Sequence, residues 1–223
     1  MKPKLLIFDV NETLLDLSVL KSRINAMLDD SKAFEDWFSK LIQMAMVETL
    51  TDTYSDFGDI GLATLKMTAE KHSTFVSEEE LKRCLNLIKK LEPHPEVKTA
   101  LKKLTSNGFR LVALTNGGSE TLKQQMKYSG LGVLLEGLYS VEAVRKFKPH
   151  PDAYRHVLAR EKTASEEAML VAAHAWDIAG AQQAGMQTAF IQRPGKFIYP
   201  KVKPPQLLCK DFTELCEKLI ALD

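Results

Sequence analysis

The chain has 223 residues, 45% hydrophobic and 26% charged, enough apolar material for one substantial core and a smaller second one. Its 30 basic and 29 acidic residues leave a formal charge of +1, without the basic excess that a phosphate backbone demands, so no nucleic-acid partner is expected. No apolar run approaches the ~20 residues of a membrane span, and the apolar stretch in "MKPKLLIFD" is too short for a secretory signal; the expectation is a cytoplasmic protein with no membrane partner.

In chain order, "LLIF" at 5 to 8 reads as a short buried strand, and it ends on a carboxylate, Asp9, with Asn11 and Glu12 close behind in "FDVNETLLD". The pattern then changes. "FEDWFSKLIQMAMVETLTD" and "DIGLATLKMTAEKH" place apolar residues at helical spacing, and "SEEELKRCLNLIKKL" opens with a capping-box signature at Ser77 and Glu80. Residues 16 to 92 therefore read as a helical insert, closed by a stiff return segment, "LEPHPEV", with Pro93 and Pro95.

Four further β-rich runs follow: "FRLVALT" at 109 to 115, "GLYSV" at 137 to 141, "AMLVAA" at 168 to 173 and "QTAFIQ" at 187 to 192. Helix-like segments at 119 to 129, 151 to 161 and 176 to 185 separate them, which predicts a parallel sheet covered on both faces. Ligands of such sheets collect beyond the carboxyl ends of the strands. Asp9, Thr115 with Asn116, and "HAWD" from His174 all follow strands directly, so they should meet in one crevice, with Lys148 of "KFKPHP" reaching it from a loop. Cys84, Cys209 and Cys216 form no CxxC pair and read as core residues.

An ionised carboxylate is a competent nucleophile at neutral pH, and attack through it divides a hard displacement into two easier steps. Asp9 alone could equally be a turn or helix-capping residue. Four segments decide between the two: "FDVNETLLD", "LTNGG" at 114 to 118, "KFKPHPDAY" at 146 to 154 and "VAAHAWDIAGAQQAG" at 171 to 185. In this order they resemble the haloacid dehalogenase superfamily, and within it the hydrolytic 2-haloacid dehalogenases, over nearly the whole chain.

That resemblance implies an α/β fold: a Rossmann-like core from residues 1–15 and 93–223, with a parallel sheet of the five-stranded type and a helical cap, residues 16–92, inserted after the first strand. It implies Asp9 as nucleophile and Lys148 as the cation that keeps it ionised. Thr115 and Asn116, aided by backbone amides near Val10 and Asn11, would position the substrate carboxylate, and Asp177 would belong to the same polar network. Dimers are common among the relatives it resembles, so a homodimer is compatible with it.

Departures from the phosphatases of this superfamily point to the chemistry. They carry a second Asp two residues after the nucleophile, where this chain has Asn11, which cannot donate an acidic proton. They hold magnesium with paired acids in the fourth motif, where this chain has Ala173 and keeps Asp177. Magnesium prefers a shell of oxygen ligands, so no metal and no cofactor are expected. Halide leaves carbon without a proton or a metal. The expected reaction is hydrolysis of a small 2-haloacid to a 2-hydroxyacid through an aspartyl ester. A magnesium-dependent phosphatase of small metabolites and a non-catalytic acid-binding relative remain the alternatives.

Three positions also depart from the dehalogenases. Glu12 and His174 replace residues of their "YGT" and fourth-motif Asn, and both fall at the same crevice, so His174 is expected to activate water with Glu12 orienting it. Phe38 aligns where many relatives place a halide-gripping Arg, and its positive ring edge could substitute in part. Trp176 reads as packing.

Overall fold

The computed structural model describes residues 2–222. Its first strand, β1 (Leu5–Phe8), is buried on both faces, which is why four consecutive apolar residues form it rather than an alternating pattern. The chain then enters four helices, α1 (Ser18–Leu28), α2 (Ala33–Leu50), α3 (Phe57–Lys71) and α4 (Glu78–Leu85), the last continued by a 3-10 turn at Asn86–Lys90. The helical spacing of residues 33 to 45 is used directly: Phe34, Trp37, Leu41 and Ala45 bury one face of α2. Trp37 Nε1 donates to the Gly61 carbonyl at 2.9 Å, tying α2 to α3. At the start of α4, Ser77 accepts the Glu80 backbone N–H at 3.2 Å, but the Glu80 carboxylate turns to Arg23. Half of the expected capping box forms.

Outgoing and returning chains join where the insert begins and ends. Asp16 N–H donates to the Glu92 carbonyl and His94 N–H to the Leu14 carbonyl, at 2.9 and 3.0 Å. The remaining elements alternate: α5 (Val97–Ser106), β2 (Arg110–Thr115), α6 (Ser119–Ser129), β3 (Gly137–Ser140), α7 (Pro151–Glu161), β4 (Ala168–Ala172), α8 (Ala175–Gln183), β5 (Gln187–Ile191), β6 (Leu207–Cys209) and α9 (Phe212–Ile220).

All strand pairs are parallel, in the order β3-β2-β1-β4-β5-β6, with Ile7 of β1 lying between Val112 and Leu170. The sheet thus has six strands rather than five. Strand β6 is only three residues long and half exposed, too short to carry a periodic signal, and it is recruited by pairing with β5 and by α9 beside it. The three cysteines are buried and free, and burial pushes each thiol up to about 11. Among the described residues no helix is long and apolar enough to cross a membrane.

Candidate active site

The order of strands departs in opposite directions from β1, and the ends of β1, β2 and β4 meet at that switch point. Asp9 is the residue after β1, Thr115 ends β2, and His174 stands at the N-terminus of α8, two residues beyond β4. Lys148 arrives from the loop before α7.

Asp9 is 5% exposed. Its Oδ1 accepts Lys148 Nζ at 2.8 Å; its Oδ2 accepts the Thr13 hydroxyl at 2.6 Å and His174 Nδ1 at 3.0 Å. Thr13 is held for this task, because its oxygen also accepts the Ala173 N–H at 3.0 Å and so turns its hydrogen toward Asp9. Burial alone would raise the Asp9 carboxyl, but Lys148 and His174 outweigh it and hold the group well below the usual carboxylate range. Asp9 is therefore an anion that is dry and fixed.

Lys148 Nζ lies between two carboxylates, Asp9 at 2.8 Å and Asp177 Oδ2 at 2.6 Å, and also donates to the Leu114 carbonyl at 3.1 Å. Burial disfavours its charge, yet Asp177 and Asp9 together raise it above the ordinary lysine value. Asp177 is fully buried, its Oδ1 taking the Tyr154 hydroxyl at 2.5 Å, so it holds Lys148 from beneath and cannot touch a substrate. Asn116 has a similar place: its Oδ1 accepts the Lys148 N–H at 2.8 Å and its amide donates to the Lys148 carbonyl at 3.4 Å. Asn116 was expected at the substrate carboxylate and Asp177 in the same polar network; both fix Lys148, and Asn116 also lines the cavity at Asp9. The Thr115 hydroxyl accepts the Gly117 N–H at 3.1 Å and also lines the cavity at Asp9.

His174 bridges the two acids singled out from sequence. Nδ1 faces Asp9 Oδ2 at 3.0 Å and Nε2 faces Glu12 Oε2 at 2.7 Å. Both partners are acceptors, so both ring nitrogens carry hydrogens and the ring is an imidazolium. Burial pushes its pKa down, but the bonds to Asp9 and Glu12 prevail and lift it to about 9. In the resting site His174 is therefore not free to accept a proton. Its cationic ring stacks against Phe38 and Trp176, with centroids 5.9 and 5.0 Å away. Trp176 thus lines the site instead of merely packing.

Glu12 is placed by strain and by partners. Its φ of 62° lies in the left-handed region, which costs a non-glycine residue on the order of 1 kcal/mol. His94 Nε2 donates to its carbonyl at 3.2 Å, and Lys196 Nζ to its Oε2 at 2.6 Å. Burial would raise the Glu12 carboxyl, but His174 and Lys196 hold it below its ordinary value. Lys196 also lies 5.5 Å over the Phe38 ring. Thr13, Tyr154 and Lys196 were not anticipated. Lys196 follows β5 by five residues, so the strand-end rule could have flagged it. Val10 is buried, and its carbonyl takes the N–H groups of Leu14 and Leu15 to close the turn after Asp9. The Asn11 side chain accepts Gln125 Nε2 at 2.9 Å and borders the cavity.

That cavity, lined by Asp9, Asn11, Phe38, Phe57, Thr115, Lys148, His174 and Trp176 among others, has a volume of about 20 Å³. Its shell contains three cations, Lys148, His174 and Lys196, against three carboxylates, Asp9, Glu12 and Asp177. A magnesium ion between Asp9 and Asp177 would need near-octahedral oxygen ligation, but the Lys148 ammonium fills that position. Among the described residues no three His, Cys, Asp or Glu side chains are grouped to hold a metal. The donor set does not fit the ion.

Because His174 gains its charge on folding, its pKa is higher in the native state than the ordinary 6.5. The stabilisation is complete below about pH 6.5 and is lost as pH rises through about 9. Its size is on the order of 3 kcal/mol. The urea stability of the wild type relative to His174→Ala should therefore be greatest near pH 6 and shrink toward pH 10; a gap independent of pH would contradict the imidazolium assignment.

Residues 3–185 match the family model of the haloacid dehalogenase-like hydrolases. The chain belongs to this family. It is 31% identical to the haloacetate dehalogenase H-2 of Moraxella sp. (strain B) over 159 residues, 71% of each chain. It is 26% identical over 220 residues to the (S)-2-haloacid dehalogenase 1 of Pseudomonas sp. (strain CBS-3), covering 97% of this chain and 96% of that one. The fold matches that of the L-2-haloacid dehalogenase of Xanthobacter autotrophicus with chloropropionic acid covalently bound, at a TM-score of 0.90 and 20% identity, over 99% of this chain and 100% of the other.

Proposed function

We propose that this protein hydrolyses the carbon–halogen bond of 2-haloacids, giving halide and a 2-hydroxyacid without a metal. One observation carries the proposal: the Lys148 ammonium occupies the place between Asp9 and Asp177, while Asn11 supplies no acid. Such a site holds an ionised nucleophile but offers a leaving group neither a metal nor an acid proton. The names of the relatives, dehalogenases of haloacetate and of (S)-2-haloacids, support the same class.

Asp9 Oδ1, bonded to Lys148 alone, keeps a lone pair for attack on C2, whereas Oδ2 is engaged by Thr13 and His174. The Asp9–C2 bond forms as the carbon–halogen bond breaks, the halide leaves with the bonding pair, and C2 inverts. Phe38, its face stacked on His174 and covered by Lys196, turns its rim to the halide.

Esterification removes the Asp9 charge, and with it a main reason for the high pKa of His174. The Nδ1 proton then passes to solvent, leaving a neutral ring whose Nε2–H remains on Glu12. Nδ1 takes a proton from water as the water oxygen adds to the Asp9 carbonyl carbon, while Thr13 holds the developing charge on Oδ2. Collapse expels the hydroxyacid oxygen, which takes that proton back. The new Asp9 carboxyl returns its own proton to His174, restoring the ion pair. Ester formation itself thus switches His174 from acid to base. The helices of residues 16–92 act as the cap that closes over these steps.

The test is halide release from 2-chloro- and 2-bromopropanoate in EDTA, beside phosphate release from a generic monoester with magnesium. Halide release unaffected by EDTA is expected. Phosphate release that requires magnesium, with no halide, would overturn the reading.

A further inference from the structure

The 20 Å³ space at Asp9 has room for no more than a water or two, yet a second cavity of about 380 Å³ lies beside it. The two share Asn11, Phe38 and Phe57 as a common wall. The larger one lies within the size range of small-molecule sites, and its walls are mainly apolar side chains of the helical insert, including Leu41, Leu62 and Ile88. Leu41 is buried, and Leu62 and Ile88 are partly buried. Its charged lining is balanced, Asp56 and Asp59 against Lys82 and Lys89, and Lys82 is paired with Glu78.

From this geometry we infer that the enzyme takes 2-haloacids carrying an extended apolar substituent, with C2 and the carboxylate at Asp9 and the chain passing Phe38 and Phe57 into the 380 Å³ cavity. This deepens the dehalogenase reading and rests on it. A propanoate-sized acid leaves the larger cavity unused, whereas each methylene buried there is expected to raise kcat/KM about fourfold. Because Asn11, Phe38 and Phe57 border both spaces, an occupant of the larger one lies against the same side chains that border Asp9, which favours the substrate's own chain.

Two measurements test this together: halide release from (S)-2-bromo acids of three to eight carbons, and calorimetric binding of propanoate and octanoate, which cannot react. Gly61→Leu supplies the blocked cavity. A Cβ there meets only Trp37, at 3.8 Å, and its helical backbone accepts a side chain, while Leu62→Trp serves as a second block. The expected result is a kcat/KM that rises with chain length and tighter binding of octanoate than propanoate. Either block should lower kcat/KM for 2-bromooctanoate at least tenfold more than for 2-bromopropanoate. Halide release that falls with length, with no gain for octanoate, would overturn the inference and leave the dehalogenase reading intact. Octanoate binding lost in both blocked variants, with no halide from any acid, would overturn the dehalogenase reading and keep the cavity's assignment to an apolar-chain acid. Neither halide nor chain-dependent binding would overturn both.

Discussion

Replacing Lys148 with methionine is expected to abolish turnover and to lower folding stability by about 3 to 5 kcal/mol. The side chain is fully buried, and its ammonium is the cation that both Asp9 and Asp177 face. Without it two carboxylates remain together in a site that water scarcely enters, and at least one must take up a proton. Burial already raises the Asp177 carboxyl even with the lysine in place. Asp177 takes that proton first, and Asp9 loses the cation that neutralises it and orients Oδ1 for attack. Lys148→Met combined with Asp177→Asn removes one of the stranded charges, so it should recover part of the stability in urea denaturation but none of the halide release. Full activity in the single variant would show that His174 and Thr13 suffice to ready Asp9 for attack.

The second large effect falls on the other half of the reaction. In His174→Ala, Asp9 keeps Lys148 and Thr13, so the ester should still form, but no base stands beside the carbonyl carbon. Ester hydrolysis is expected to slow by on the order of 10² to 10⁴-fold, the range for loss of a general base. A burst of halide, one equivalent per site, should precede a slow steady rate. A variant that instead lost the burst as well would mean that His174 is needed for the attack, through its bond to Asp9 Oδ2.

Much of this site could be read before the fold was known, for a physical reason. Asp9, Thr115 and His174 belong to short segments in which an apolar strand stops at a polar residue, and strand ends in a parallel sheet converge. Glu12 and His174 could be paired because β1 and β4 are neighbours, and the chain places them 2.7 Å apart. Other residues act through contacts that no local pattern encodes. Asp177 and Asn116 lie in motif positions, but only the packing shows that they support Lys148 from below. Lys196 enters from a turn after β5 to a carboxylate 184 residues earlier in the chain. The protonation of His174 was equally hidden, since it depends on having a carboxylate at each ring nitrogen at once. Strand β6 went unread because three residues are too few to carry a period and the sheet edge that recruits them is formed elsewhere, whereas α9 buries Phe212, Leu215, Cys216 and Leu219 at a helical spacing that the sequence does display.

The central claim is that Asp9 becomes a covalent ester and that His174 serves the step after it. Intact-mass measurement of His174→Ala incubated with 2-bromopropanoate, followed by peptide mapping, addresses both parts. One propanoate unit per chain, located on the peptide containing Asp9 and absent from an Asp9→Asn, His174→Ala double variant, is the predicted result. An unmodified His174→Ala protein that releases halide at the wild-type rate would contradict it.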